Sequence, residues 1–395
     1  MSERHLSQLK IPAVFMRGGT SKAIMFHVRD LPADKREWDH IFLSAMGTPD
    51  ANMRQLDGMG GGVSSVSKVC IIGPPSRPDA DVDYTFAQIG VDKPIVDYSG
   101  NCGNMSGAVG PFALDEGLVP TPSDGRAMVR IHNTNTAKII VSRFDMDGDT
   151  AAVDGNMALD GVSGTGAPVR LEFMEPGGSR TGKLLPTGRP RDVLDVAGVG
   201  RIEASLIDAA NPCVFVDAAT LGRSGTDLPA VMERDTEVLA KLEAIRLAAS
   251  VAMGLAPDLA AAARIPSVPK VALVSRPADA GTLSGRKLTA ADMDIAVRMI
   301  SVGQPHRAVP VTGATCLAVA VRVPGSIPAA LAGSIPDDRP IRIAQPSGVT
   351  VVDAKVVADP GINGGMRAEY GAVYRTARRL FEGHVLYRRP RGRAA

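Results

Sequence analysis

The feature that most restricts how this chain can fold is an internal repeat. "SVSKVCIIGPPSRP" (65–78) answers to "SVPKVALVSRP" (267–277), which sets Lys68 opposite Lys270. "MRGGTSKAIMFHVRDLP" (16–32) answers to "DAANPCVFVDAATLG" (208–222): a turn of small polar residues, a strand, then an acidic turn. "IHNTNTAKIIVSRF" (131–144) answers more loosely to "IAQPSGVTVVDAKV" (343–356). "NCGNMSGAVGPFAL" (101–114) answers to "VTGATCLAVAV" (311–321), aligning Gly103 with Gly313 and Cys102 with Thr312. All four matches keep the same order. A duplicated α+β unit implies two similar domains facing each other, with equivalent loops lining one cleft, a usual place for a small-molecule site.

The length of 395 residues allows two or three domains, and 45% apolar content can fill their cores. Aromatics are sparse at 4% against 42 glycines, which favours short strands, tight turns and closely packed helices. "MEPGGSRTGKLLPTGRPRD" (174–192) reads as the connection between halves, giving domains 1–185 and 186–395, with the last strand free to return to the first. "REWDHIFLSAMG", the residues after Cys102, "AVMERDTEVLAKLEAIRLAASVAMG" and "YGAVYRTARRLFEG" read as helices, and "HVLYRR" as a closing strand. "LAVAVRV" fits either a strand or a helix.

A net charge of +2 gives no electrostatic case for nucleic acid or an anionic membrane, and "YRRPRGRAA" reads as a solvated tail. No apolar run reaches membrane-spanning length, and "IPAVFM" is too short for a signal core. Cys70, Cys102, Cys213 and Cys316 are widely spaced with no CxxC pair, so reduced thiols in the cytoplasm are expected. The six histidines show no HxH or HExxH spacing, so a dedicated metal site is not expected. No cofactor is expected.

"DYSGNCGNMSGAVG" (97–110) raises the chemistry. It begins as a turn and becomes apolar and small-residued after Asn104, as a loop feeding a helix does. At such a start Cys102 faces unpaired N–H groups and the positive end of the helix dipole, which together hold an anion. The alternative is a buried structural cysteine beside a glycine-rich turn. Lys68 follows a Gly/Ser-rich stretch that lets backbone approach a ligand and opens a strand; the plain alternative is a solvated strand-edge lysine.

"MRGGTSK" (16–22), "DGMGGGVSSVSK" (57–68), "DYSGNCGNMS" (97–106) and "GQPHRAVPVTGA" (303–314) resemble the 2-methylaconitate cis-trans isomerase (PrpF) family, over about Ile11 to Tyr387. That family includes 4-oxalomesaconate tautomerases and 3-methylitaconate delta-isomerases. Ala23 stands where the family usually has glycine. The resemblance implies an α+β, diaminopimelate epimerase-like fold: two pseudo-symmetric domains, each a curled β-sheet around a central helix. It also implies that Lys68 and Cys102 are catalytic.

Several residues are expected to bind the substrate. Arg17 would clamp a carboxylate and matter little for folding. Gly18, Gly19, Thr20 and Ser21 offer donors. Asn101, Gly103, Asn104, Met105 and Ser106 form one helix start, and Thr312, Gly313, Ala314 and Thr315 the other. His306 is either a carboxylate ligand or a structural histidine. Ser65, with Ser67 and Asn211, lines the site, and Lys270 is either a vestige of Lys68 or a second anchor. Cys70, Cys213 and Cys316 are expected to pack.

Thr312 is too weakly acidic to serve as a second proton carrier, which disfavours a two-thiol racemase. The asymmetric Lys68–Cys102 pair suits moving a proton along an allylic system, with Cys102 either returning the proton or lining the site. The expected activity is isomerisation of a small unsaturated di- or tricarboxylate such as 2-methylaconitate or aconitate. The alternatives are 4-oxalomesaconate tautomerisation and a non-catalytic polycarboxylate-binding accessory protein. The expected partners are the polycarboxylate itself, a second copy in a homodimer, and a functional link to an aconitase-like dehydratase.

Overall fold

The computed structural model describes residues 7–362 and 364–389. The chain forms two compact units. The first runs to Leu171 and resumes at Arg375, and the second is Glu172–Tyr374. The division therefore falls at 171/172 rather than 185/186. The Gly/Pro-rich stretch belongs to the second unit, where Ser179 Oγ and the N–H groups of Arg180 and Thr181 all donate to the buried Asp208 carboxylate.

The first unit contains β1 (Gln8–Gly18), β2 (Ser21–His27), α1 (Trp38–Met46), β3 (Lys68–Gly73), β4 (Val82–Ile89), α2 (Gly103–Asp115), β5 (Arg126–Asn133) and β6 (Lys138–Asp147). Neighbouring strands pair antiparallel (β1/β2), parallel (β2/β3), antiparallel (β3/β4), parallel (β4/β5) and antiparallel (β5/β6). Each parallel step needs a crossover, and α1 and α2 lie within those two connections.

The second unit contains β7 (Gly200–Ala209), β8 (Asn211–Asp217), α3 (Thr236–Ala252), β9 (Lys270–Ser275), β10 (Ile295–Ser301), α4 (Val311–Arg322), β11 (Ile341–Gln345) and β12 (Gly348–Ala358). Its pairing sequence is the same: antiparallel, parallel, antiparallel, parallel, antiparallel. The repeat is thus a repeat of topology, and Lys68 and Lys270 each open the third of these strands.

Strand alternation sends successive side chains to opposite faces. Ile24, Phe26, Val69 and Ile71 pack with Trp38, Ile41 and Phe42 of α1. The other face looks onto α2: His27 lies against Phe112 with ring centroids 5.1 Å apart. In α2 every residue from Met105 to Leu114 is buried, and in α4 every residue from Gly313 to Val321. A helix apolar all round must be enclosed, so each is the central helix of its unit. This resolves "LAVAVRV" as helix.

Two further strands follow, β13 (Met366–Arg375) and β14 (Ala377–Arg388). They correct the helix expected at "YGAVYRTARRLFEG". β13 pairs with β12, and β14 runs antiparallel along β1 from Gln8↔Arg388 to Gly18↔Ala377. Tyr387 is buried and Arg388 ends the strand, so the arginine-rich end starts inside the sheet; residues 390–395 lie outside the described residues. Among the described residues no helix is long and apolar enough to cross a membrane.

Candidate active site

The β1–β2 hairpin closes with Gly19 and Thr20, since Gly18 pairs with Ser21. Gly19 has φ +53°, as the first position of a tight hairpin turn can require. Space demands glycine as well. A Cβ on Gly19 would lie 2.4 Å from Asn104 Oδ1, and one on Gly18 2.7 Å from the Asn104 carbonyl. The hairpin tip is therefore pressed onto the first turn of α2. Asn104 joins them, donating to Thr20 Oγ1 at 3.1 Å and accepting from Arg375 Nε at 2.9 Å.

Cys102 is the N-cap residue of α2 and is half-buried. Its carbonyl accepts from Ser106 N and Ser106 Oγ, and its thiol lies 4.0 Å from Ser21 Oγ. Gly103 and Asn104 open the helix, and Asn101 stands just before it, 3.4 Å from Ser106 Oγ. Met105 and Ser106 are fully buried, so Met105 offers only backbone, and the Ser106 hydroxyl is used within the turn.

Lys68 opens β3 and is buried. Its Nζ donates to Gln88 Oε1, the residue opposite it in the ladder, and lies 5.2 Å from the Phe86 ring centroid. Gln88 Nε2 donates to the carbonyls of Ser64, Ser67 and Ile89, which fixes the amide with its oxygen toward the lysine. Among the described residues no ion pair involves Lys68, so its hydrogen-bond acceptor is a neutral amide.

Lys68, Cys70, Gln88 and Phe86 share the α2-facing side of the sheet by register. Burial, reinforced by Cys102, pushes the Cys70 thiol up, against the pull of Tyr84 and Lys68. The buried Tyr84 phenol is likewise raised, by burial first and then by Cys70 and Cys102. Lys68 and Cys102 therefore belong to one cluster in one unit.

The glycines before Lys68 serve a purpose other than the expected ligand approach. A Cβ on Gly58 would lie 2.1 Å from Gly47 N, and one on Gly60 2.3 Å from Gln55 Oε1. The buried Gln55 amide accepts from Gly62 N and Ser67 Oγ, so Ser67 is committed to the loop. Ser65 stays half-buried in the 3-10 turn Ser64–Val66 that enters β3.

Arg17 corrects a second expectation. Its Nη1 donates to Gly19 O (3.0 Å), Thr376 O (2.9 Å) and Thr376 Oγ1 (2.9 Å), so it ties the hairpin to the segment before β14 as well as carrying charge. It faces Arg378 across the ladder, and burial, then that neighbour, lowers its pKa.

Sequence reasoning missed Arg375 and Gln88. Arg375 is buried beside Gly107 and Gly19, and burial pushes its pKa down to about 10, opposed by Cys102. It lay in a segment read as helix, and no motif marks it. Gln88 could have been found by pairing "KVCIIG" with "VDYTFAQI" as adjacent antiparallel strands.

In the second unit, Thr312 is exposed while Gly313, Ala314 and Thr315 are buried, with Thr315 Oγ1 bonded to Val311 O. The N-cap of α4 is Pro310. In helix register Cys102 therefore corresponds to Pro310, two residues before the expected Thr312. Neither residue supplies a thiol at that helix start. His306 donates its backbone N–H to Met299 O, and its Nε2 is buried without a hydrogen-bond partner among the described residues. Asn211 opens β8 beside Cys213, with Nδ2 donating to Pro212 O. Cys70, Cys213 and Cys316 are fully buried, as expected.

A buried amine, and a helix-start thiol whose charge is felt by the buried Arg375, are groups that can exchange protons with an anionic carbon acid. The chain belongs to the PrpF protein family, whose model matches residues 8–388. It is 40% identical over 380 residues to the 3-methylitaconate isomerase of Eubacterium barkeri, covering 96% of this chain and 97% of that one. It is 38% identical over 391 residues to the 2-methyl-aconitate isomerase of Cupriavidus necator, covering 96% and 98%. The crystal structure of a methylitaconate-delta-isomerase superposes with a TM-score of 0.90 at 40% identity, covering 97% of each chain.

Proposed function

We propose that this chain is an isomerase that shifts a proton and double bond, or changes cis–trans geometry, in a small unsaturated di- or tricarboxylate such as 2-methylaconitate or aconitate, without a cofactor. The observation that carries this reading is the cluster of Lys68, held by a neutral amide, with Cys102 at the N-cap of α2. The relatives named isomerases support the reaction class.

In the proposed reaction the Lys68 amine removes a proton made acidic by an adjacent carboxylate and double bond. The negative charge spreads onto carboxylate oxygens, where N–H groups at the start of α2 stabilise it. Arg17, facing Arg378, gains from an anion between like charges and clamps a second carboxylate. Cys102 returns the proton to the far carbon of the allylic system. The four free thiols suit a reducing compartment, the cytoplasm.

The test is proton NMR of the purified protein in D₂O against methylaconitate, aconitate, methylitaconate and oxalomesaconate. Turnover with deuterium entering one allylic carbon is expected, and no exchange or product with any of them would refute the reading. Lys68→Met should lower both exchange and isomerisation by at least about 100-fold. Cys102→Ser should still exchange the abstracted proton but form little product. If Lys68→Met lost activity only modestly, Lys68 would be a carboxylate anchor and not the base.

A further inference from the structure

The lysine that the proposed reaction uses as its base is gripped by one side chain, Gln88. The two face each other in the β3/β4 ladder, and Lys68 Nζ donates to Gln88 Oε1. Side chains directly opposite in a ladder share a face, here the one that looks onto α2. Lys68 is buried, and its other contact is the Phe86 ring, 5.2 Å from Nζ.

The glutamine is itself held from behind. Its Nε2 donates to Ser67 O at 2.9 Å, to Ser64 O at 3.1 Å and to Ile89 O at 3.3 Å. Ile89 N also donates to Ser67 O at 3.0 Å, so the loop entering β3 is fastened to β4 at the same place. A flipped amide would set its oxygen against three carbonyl oxygens and its N–H groups against the amine. Backbone therefore fixes where Oε1 points. The topologically equivalent lysine, Lys270, donates instead to Ser301 Oγ at 2.8 Å, a hydroxyl that can rotate.

An amide differs from a carboxylate in that it does not ionise. An amine donates an N–H to an amide oxygen with or without its extra proton, so this contact survives both halves of a proton transfer. A carboxylate in the same place would favour the ammonium and hold the proton there. The other titratable groups around Lys68 leave that balance to Gln88. Cys70 shares its face on β3 and Tyr84 on β4, and burial pushes both up, toward their neutral forms. Cys102 stands at the start of α2. Asp97, on the short strand Val96–Asp97, flanks Gln88 across the ladder, but it is exposed and accepts from Ser99 N.

We propose that Gln88 is a positioning residue for the isomerisation: it holds the Lys68 amine in one place in both protonation states. In the reaction proposed above, Lys68 gains a proton as one C–H bond breaks, and Cys102 loses one as the new C–H bond forms. The ammonium must then pass its proton to the thiolate before the next turnover. A neutral, fixed acceptor lets the nitrogen do this without leaving its position. The catalytic part rests on the isomerase reading; the grip on the amine rests on the hydrogen bonds.

The first test needs neither substrate nor a variant of Gln88. Carbon NMR relaxation of the Lys68 side chain, assigned with Lys68→Met, should show it rigid above and below the pH at which the amine titrates. A side chain that loosens when the amine loses its proton would overturn the proposal. The second test is kinetic. Gln88→Leu should lower kcat at least about 10-fold with little change in KM, because the amine is no longer held. Gln88→Glu should move the acid limb of the kcat/KM profile up by about 1–3 pH units, since a carboxylate stabilises the ammonium. A merely structural glutamine would leave that limb in place, and an unmoved limb in folded Gln88→Glu would overturn the proposal. Wild-type kcat in Gln88→Leu would sink the positioning role and spare the isomerase. A lysine rigid in both states, with no turnover of any of the four unsaturated acids, would do the reverse.

Discussion

Replacing Gly19 by alanine tests whether the hairpin tip is held as tightly against α2 as the geometry says. Two costs apply. An L-residue at φ +53° costs roughly 1–2 kcal/mol relative to glycine. The new methyl group, 2.4 Å from Asn104 Oδ1 and 3.0 Å from Arg375 Cδ, must also displace a bonded amide and a buried guanidinium. Overpacking of that kind costs about 1–3 kcal/mol. The total is about 2–5 kcal/mol.

Gly117 is the control. It has φ +65° with nothing within 4 Å of its would-be Cβ, so Gly117→Ala carries the conformational cost alone. The difference between the two variants isolates the contact, about 1–3 kcal/mol. For a unit of this size that is roughly 2–12 °C in Tm. Thermal and urea unfolding of both variants, with isomerase rates for each, provide the measurement. Gly19→Ala should also lose activity, because Asn104 is pushed off Thr20 and Arg375; Gly117→Ala should not. Equal stability losses in the two variants would refute the close approach of the hairpin tip to the first turn of α2.

Arg17→Ala should lose about 1–3 kcal/mol of stability through its three Nη1 bonds, read as a fall in urea midpoint, and weaken polycarboxylate binding about 10- to 1,000-fold. A variant that binds weakly but unfolds at the wild-type midpoint would show those bonds to be stabilising nothing. Glu116 gives a pH signature. Burial pushes its carboxyl up, but His27 at 2.9 Å and Arg379 at 2.6 Å outweigh that and hold it below the ordinary 4.5. A depressed carboxyl stabilises the fold fully above its unfolded value and loses that contribution as pH falls through the lower folded one. Glu116→Gln should therefore be less stable than wild type at pH 7, with the gap narrowing as the pH falls below the ordinary 4.5 in parallel melts; a gap independent of pH would point to packing instead.

What the sequence disclosed was what is locally encoded. The reading of "REWDHIFLSAMG" as a helix matches α1, and that of "HVLYRR" as a strand matches the end of β14, because apolar spacing marks each locally. Cys102 was placed at a helix start because glycine, asparagine and then small apolar residues punctuate one. The misreadings have a common cause. The β13–β14 segment has apolar spacing that also suits a helix, and its fate is decided by partners far away, β12 and β1. Arg375 and the second role of Arg17 were hidden with it, since both depend on that pairing. The glycines before Lys68 do permit close approach, but what approaches is Gln55 and the 46–47 backbone, which no local pattern names.

The pairing of β14 with β1 has a consequence for biosynthesis. Thr376, which receives Arg17, lies 359 residues downstream. At ordinary translation speeds roughly 20–70 s separate the emergence of these two strands from the ribosome. The second unit is continuous in sequence and can close on itself during that interval. The first unit cannot, because the long edge of β1 waits for a strand made only after the whole second unit. An unpaired edge is a template for the wrong neighbour, so nascent chains are most at risk of mispairing along "QLKIPAVFMRG". A trigger-type chaperone, or a free peptide carrying the β14 sequence supplied in trans, would act on that window and leave the finished protein unaffected.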